Sequence, residues 1–368
     1  MLTTEASGQY AEPQLRYRAA KQTKLVTSMT AGYLRWLAHL HRNLNLFGLA
    51  QDLSVCAHDN ASAHYATASG LHVVHWPIIN VGSQTVGATA FTSKQSITPW
   101  VAVNHAKHRC VLSILDSAPD DATVLLIDGD VTLFRNPLHA LPPRDTADIA
   151  ILDDHGNTNT LRAANGGFVL LRASRHTRAW YSLFVRSLAR HSRSNDQDVL
   201  NAMLDDLEVL NAAPSSRRLV TVNIVCEAPD ACRAREAASI TERELIRQGK
   251  RKHRHPETIG QLRKDLQGMA VEATPSRRLA LRVVLLNQLL FANGFRFFEK
   301  QAKPDVAAVV ALHHNWISGD DTKHARAAEY GTLVDSDNET LARFRRRARQ
   351  KIAALPRWRP PRGLRTRL

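Results

Sequence analysis

Asp128 and Asp130 are separated by a single glycine and follow the apolar run "TVLLI", Thr123 to Ile127. Like charges this close repel unless a cation lies between them or water separates them. A bound metal, a basic side chain and an ordinary exposed turn each satisfy that requirement. On an extended backbone, residues i and i+2 point the same way, so both carboxylates can face one ligand. Hard divalent cations prefer oxygen donors and typically bridge one or two carboxylates to substrate phosphates. The pair would then be a place to hold a phosphorylated ligand, provided the chain delivers it to a crevice.

The flanking segments predict such a crevice. "KLVTSMTAG" reads as a short strand running into a small-residue loop, and "YLRWLAHLHRNL" as a helix with Leu34, Leu37 and Leu40 at helical spacing. "LSVCAHD" and "LHVVHW" read as strands with the helix "NASAHYATAS" between them. Residues 77–97 read as a loop, and "WVAVNHAKHRCVLSILDSA" as the helix before the Asp-bearing strand. The strands "ADIAILDD" and "GGFVLLRAS" follow, then the helices "RAWYSLFVRSLARH" and "DQDVLNAMLDD", the second opened by an Asn195/Asp196 cap. Sheet character returns with "LRVVLLN", "FRFF" and "VAAVVALHH". This alternation predicts an α/β fold with a largely parallel sheet flanked by helices, in which ligands sit beyond the carboxyl ends of the strands. The expected organisation is a polar segment at 1–22, one domain at 23–340 with a variable insertion at 227–282, and an Arg-rich tail at 341–368.

Charge is distributed unevenly. The formal net charge is +15, and the stretch from Arg343 to Leu368 holds ten Arg, one Lys and no acid. A globular domain with basic appendages fits this better than a uniformly basic nucleic-acid binder, which would interleave aromatics with its cations. The tail offers only Phe344 and Trp358 for that role. Such a tail suits peripheral contact with an acidic polysaccharide or membrane surface. No apolar stretch approaches the ~20 residues that span a bilayer, and the first residues lack the apolar core of a secretory signal. Cys56 and Cys110 read as small buried hydrophobes, whereas Cys226 and Cys232 flank a turn-like stretch and can pair.

Six motifs in order resemble glycosyltransferase family 77, the nucleotide-diphospho-sugar transferases of plant and algal cell-wall arabinosyl, xylosyl and galactosyl transfer. They are "LVTSMTAGYLRWLAHLHRNL", "KHRCVLSIL…VLLIDGDVTLFRNP", "NGGFVLLRAS", "NDQDVLN", "FANGFRFF" and "HHNWISGDDTKHARAAEYGTL", spanning about residues 24–333. The resemblance implies a GT-A-type fold, a UDP-sugar donor, a Mn²⁺ or Mg²⁺ ion, and retaining transfer to a hydroxyl of a glycan or glycoprotein. It implies a Golgi lumen location if an N-terminal anchor precedes this chain, and a cytoplasmic one otherwise. Carried over by position, Asp128, Gly129 and Asp130 match the DxD that holds metal and donor. Thr27, Ser28 and Gly32 fall in the loop expected around the nucleoside, and Lys107 on the helix before the DxD strand. Asn165, Gly166 and Gly167 match an "NTG" turn in which Gly166 replaces the usual threonine. Asp196 and Gln197 match a "DQ" placed near the transferred sugar. His313, Asn315, Gly319 and Lys323 match a closing motif whose histidine completes the metal site and whose lysine approaches the diphosphate. Asp196, Gln197 and Lys323 are the expected catalytic set. His314 is expected to point the other way along its strand.

Each residue also has a plainer reading. Asp196 can cap its helix, Asn165–Gly167 can be a hairpin turn, Lys323 can be solvated, and Trp36, Trp180 and Trp316 can serve packing rather than sugar stacking. The competing functions are a DxD transferase of the galactosyl/mannosyl class, which lacks this closing motif, and a basic nucleic-acid binder.

Overall fold

The computed structural model describes residues 23–78, 97–154, 164–191, 194–212, 220–226, 279–294, 297–298, 306–315 and 319–355. Its main sheet has eight strands in the order β3-β2-β1-β4-β7-β6-β9-β8. These are β1 (Thr23–Met29), β2 (Leu53–Ala57), β3 (His72–His75), β4 (Thr123–Ile127), β6 (Ile149–Asp153), β7 (Ala164–Arg172), β8 (Val220–Cys226) and β9 (Leu279–Leu286). Only β7 runs antiparallel to its neighbours β4 and β6. A second sheet joins β5 (Val131–Leu133), β10 (Phe291–Asn293) and β11 (Ala311–His313) in the order β10-β11-β5.

Every residue of β4 is buried, and its side chains alternate between two cores. Val124 and Leu126 pack with Cys110, Val111 and Leu115 of helix α3 (Ile97–Ser117), while Leu125 and Ile127 pack with Trp36, Leu37 and Leu40 of α1 (Leu34–Asn45). Helices on both faces explain why the strand reads as a continuous apolar run. Between β2 and β3 lies α2 (Asn60–Ala68), opened by a reciprocal cap in which Asp59 accepts from Ser62 N–H at 2.8 Å. On the α3 face lie α4 (Arg175–Arg190) and α5 (Asp196–Ala212). The chain then adds α6 (Asp320–Glu329) and α7 (Leu341–Ala354).

Four expectations change. Cys56 and Cys110 are not merely buried hydrophobes: they form a disulfide that ties β2 to α3. Sheet pairing falls on Phe291–Asn293, before "FRFF", of which the described residues Phe297 and Phe298 pack into a third core instead. Only Ala311–His313 of "VAAVVALHH" is strand. Finally, the first half of the Arg-rich segment is a helix whose Phe344, Ala348 and Ile352, at i, i+4 and i+8, insert into that third core. Trp36 and Trp180 are buried among core residues, as packing requires. Cys232, Trp316 and most of the 227–282 segment lie outside the described residues. No helix among the described residues is long and apolar enough to cross a membrane.

Candidate active site

The strand order reverses at β1: the chain moves outward through β2 and β3, then returns to place β4 on the other side. Crevices open at such switch points, beyond the carboxyl ends of the strands. The turn Asp128–Asp130 lies there and connects the two sheets, because β4 ends before it and β5 begins after it. A Cβ at Gly129 would meet Met29 Cε, the far end of a flexible side chain that can turn aside, so the turn packs closely against β1 without requiring glycine. The register of the small sheet sets His313 opposite Val131, next to Asp130. Two residues that are distant in sequence thus meet because two short strands pair.

Ligand atoms of Asp128, Asp130 and His313 all lie within 4.8 Å of one another. His313 Nε2 is 3.2 Å from Asp130 Oδ1 and 4.0 Å from Asp128 Oδ2. The outer oxygens are held by lysines: Lys323 Nζ donates to Asp130 Oδ2 at 2.5 Å and Lys107 Nζ to Asp128 Oδ1 at 3.3 Å. One oxygen of each carboxylate and one imidazole nitrogen therefore converge on the same space. Two hard oxygens with one nitrogen suit Mg²⁺, Mn²⁺ or a similar divalent ion. Gly167 closes the space from the β7 side; a Cβ there would stand 2.5 Å from His313 Cε1 and 2.9 Å from Asp128 Oδ2. His313 Nδ1 is buried with no hydrogen-bond partner among the described residues.

The electrostatics follow from burial and pairing. Burial alone would raise the Asp130 carboxyl, but Lys323 and His313 outweigh it and hold it well below the usual carboxylate range. Burial would lower Lys323, yet Asp130 and Tyr33 raise it above an ordinary lysine. Tyr33 is pushed up chiefly by burial and accepts from Lys323 Nζ at 3.3 Å. Lys107 stands between two acids, with Asp196 Oδ2 at 3.5 Å, and they raise it despite its burial.

Asp196 does more than open its helix. Asn195 Oδ1 accepts from Gln197 N–H at 3.1 Å, whereas the Asp196 carboxylate meets Lys107 and accepts from His108 Nε2 at 2.9 Å. A carboxylate only accepts, so His108 Nε2 carries the proton and Nδ1 accepts from the Tyr181 hydroxyl at 2.7 Å. Burial would raise Asp196, but Lys107 and His108 hold it well below the usual range. Gly166 faces this carboxylate: a Cβ there would sit 3.0 Å from Asp196 Oδ2, so the usual threonine would crowd it.

Asp154, which no motif singles out, joins two of the expected motifs. It accepts from Asn165 Nδ2 at 3.0 Å and from Asn315 Nδ2 at 2.8 Å. Its signal was present in "ADIAILDD", a second apolar strand running into a carboxylate. His108 and Tyr181 were missed as well, since nothing in their local sequence announces a relay. Thr27 and Ser28 lie on β1 rather than in the loop after it, because that strand continues to Met29; Thr27 is buried, Ser28 hydrogen-bonds His58, and Gly32 alone of the three lies in the turn that follows. Gly319 precedes α6 with a φ of 90°, and Gln197 is half-buried beside Asp196. None of these four, Thr27, Gly32, Gly319 or Gln197, meets the metal-ligand group. His314 points away from it, stacking near Trp36 and Phe298 and pairing through Nε2 with Thr132 Oγ1 at 3.0 Å.

A family model for nucleotide-diphospho-sugar transferases matches residues 48–326, which contain the metal-ligand group, Lys107, Lys323 and Asp196 but not β1 or the turn after it. The chain belongs to that transferase family. Its mixed sheet, with one antiparallel strand beside the DxD strand, is GT-A-like. Two solved structures of the glycosyltransferase GlyE from Streptococcus pneumoniae TIGR4 are similar to it. One has 14% identity and a TM-score of 0.33, covering 50% of this chain and 43% of that one. The apo form has 10% identity and a TM-score of 0.34, covering 86% and 66%. The chain therefore spans less than two thirds of either GlyE chain. A search of curated proteins returned no match.

Proposed function

We propose that this transferase moves a sugar, with retention, from a UDP-sugar to a hydroxyl of a glycan or glycoprotein, as the resemblance to glycosyltransferase family 77 implies. The observation that carries the reading is the convergence of Asp128 Oδ2, Asp130 Oδ1 and His313 Nε2, with a lysine on each outer carboxylate oxygen. A Mn²⁺ or Mg²⁺ ion held by these three residues would supply Lewis-acid stabilisation of charge on the departing diphosphate. Lys323 is placed to follow that charge. It rests on Asp130 and Tyr33, and an incoming diphosphate offers it a competing anion. Asp196, ionised and reached over Gly166, is the anion available to a developing positive charge on the sugar. Gln197 follows it at the start of α5. Asn165 and Asn315 are clamped by Asp154, which fixes the β7 turn against the closing segment.

The Cys56–Cys110 bridge favours an oxidising compartment, in keeping with a Golgi lumen location. The test is a screen of UDP-sugars for slow hydrolysis with Mn²⁺, before and after EDTA. Hydrolysis of at least one sugar should appear with metal and vanish with chelator. His313→Ala should weaken donor binding by about tenfold, less than loss of either aspartate, since water can take the vacated position. Metal-independent hydrolysis, or none with any donor, would overturn the reading.

A further inference from the structure

On the side of Asp128 away from Asp196, the end of β1 carries a hydrogen-bonded chain that the metal site does not use. Ser28 Oγ is 2.6 Å from His58 Nε2, and His58 Nδ1 is 2.8 Å from the backbone carbonyl of Trp76. A carbonyl only accepts, so Nδ1 carries the imidazole proton. His58 is 4% exposed, and burial holds its pKa down at about 4, so the ring is neutral near pH 7 and Nε2 presents a lone pair. The Ser28 hydroxyl must then donate to His58. What remains on Ser28 Oγ is lone pairs alone.

The position of that oxygen matters. Val26 pairs with Leu126 in the β1–β4 register, and both face the α3 side. Two residues further along each strand stand Ser28 and Asp128. Ser28 and Asp128 therefore stand level at the ends of β1 and β4, and His58, two residues past Cys56, the β2 partner of Ser28, reaches Ser28 through its ring. The arrangement is rigid: His58 N–H donates to Met29 O at 3.0 Å, and Ala31 N–H donates to Asp59 Oδ2 at 2.7 Å. Its chemistry also differs along its length. Asp128 and Asp196 both lie against the Lys107 ammonium, whereas the β1 end offers the neutral Ser28 and, two residues on, the buried hydroxyl of Thr30, which has no hydrogen-bond partner among the described residues. A diphosphate belongs with the lysines and a ribose beside them, so the neutral end is left for the base.

Resting on the nucleotide-sugar reading above, we propose that His58 is a positioning residue that fixes Ser28 as an obligate hydrogen-bond acceptor for the donor's nucleobase. The site then selects a base whose ring nitrogen carries a proton. Uracil presents N3–H to Ser28 Oγ. Cytosine presents a lone pair at the same atom and would set acceptor against acceptor, leaving both unpaired.

The experiment is titration calorimetry of UDP, CDP and 2′-deoxy-UDP with the full chain in Mn²⁺, for the wild type, Ser28→Ala and His58→Leu, with thermal midpoints recorded for each. The wild type should bind UDP at least about tenfold more tightly than CDP, the size expected for an unpaired buried group. Ser28→Ala should bring the two within about threefold. His58→Leu should do the same, because the freed hydroxyl can turn and donate to cytosine; if that variant does not fold, Ser28→Ala still decides. Equal binding of UDP and CDP by the wild type, or a preference that survives Ser28→Ala, overturns the inference while leaving the transferase reading intact. So does a loss with 2′-deoxy-UDP that disappears in Ser28→Ala, which would make the ribose the partner of Ser28. Absence of binding by all three would remove the UDP-sugar reading and this inference with it.

Discussion

Lys107 is buried and Lys323 half-buried, with a carboxylate against each, whereas Arg343, Arg346 and Arg349 on α7 are exposed along one helix face. Both regions concentrate positive charge, yet they spend it differently. Removing an ion from water costs several kcal/mol, recovered only with good pairing, so the two lysines are held in place by the acids they neutralise. The helix arginines keep their solvent. Where α7 does bring cations inward it uses them for local closure: Arg345 donates to the Phe134 carbonyl at 2.6 Å, and Arg347 pairs with Asp335 and Glu339. The lesson is that burial, rather than the count of cations, marks the chemical region.

The largest effect that would test this contrast is expected for Asp130→Asn. It keeps the shape and strips Lys323 and His313 of their shared anion, so stability should fall by about 3–5 kcal/mol in urea titrations, the usual cost of breaking a buried pair. Metal-dependent binding of UDP-sugar should largely disappear in the same variant. If both survive, the site lysines are no more committed than the arginines of α7.

Next comes truncation after Thr340, which removes eleven cations but also Phe344 and Ile352 from the third core. Stability should drop by about 3–5 kcal/mol, as for loss of a buried aromatic. Phe344→Ala alone should reproduce most of that drop. UDP-sugar hydrolysis by the truncated chain, measured cold where it stays folded, should remain within a few-fold of the full chain. A complete loss of turnover in a folded truncation would place α7 in the chemistry.

Acid should act on a third set of groups. Burial lowers His39 to about 3 and His58 to about 4, while in the unfolded chain both take protons near pH 6.5. Folded values below the unfolded one mean stability that is complete above pH 6.5 and lost as pH falls toward the folded values. Each histidine approaches about 1.4 kcal/mol per pH unit once pH is below 6.5, so together the two should lower the unfolding free energy by about 3 kcal/mol between pH 6.5 and 5. The arginines do not titrate and add nothing to this slope. A flat profile over that range would mean that one or both rings find an anion when protonated. The smallest effect belongs to Arg346→Ala, which should shift stability by less than about 0.5 kcal/mol and be measurable only as altered salt dependence.

What the sequence disclosed was the part written at strand ends. The run into Asp128 and Asp130 and the late His313 could be paired in advance because α/β topology gathers carboxyl ends on one edge. The partners of those residues were less visible. His108 and Tyr181 belong to different helices, and only the packing of α3 on α4 makes them neighbours. Asp154 carries the same strand-to-carboxylate signature as Asp128, but its companion acid is the adjacent Asp153, and no carboxylate two residues away forms the i, i+2 pair that made the first conspicuous. The amphipathic period of α7 was present in Phe344, Ala348 and Ile352, yet the density of arginine hid it. Cys56 and Cys110 each sit inside a regular element, and no local pattern states that one such residue will face another across 54 positions.

That bridge has a covalent consequence. It turns β2, α2, β3 and the start of α3 into a closed ring of chain, the ring that also carries residues 79–96. A protease cut anywhere inside it leaves two pieces that still migrate as one on a non-reducing gel and part only when thiol is added. Between them those pieces hold His58 on one side of the bridge and Lys107 on the other, so a nicked chain keeps both ends of the crevice tethered by a single sulfur–sulfur link.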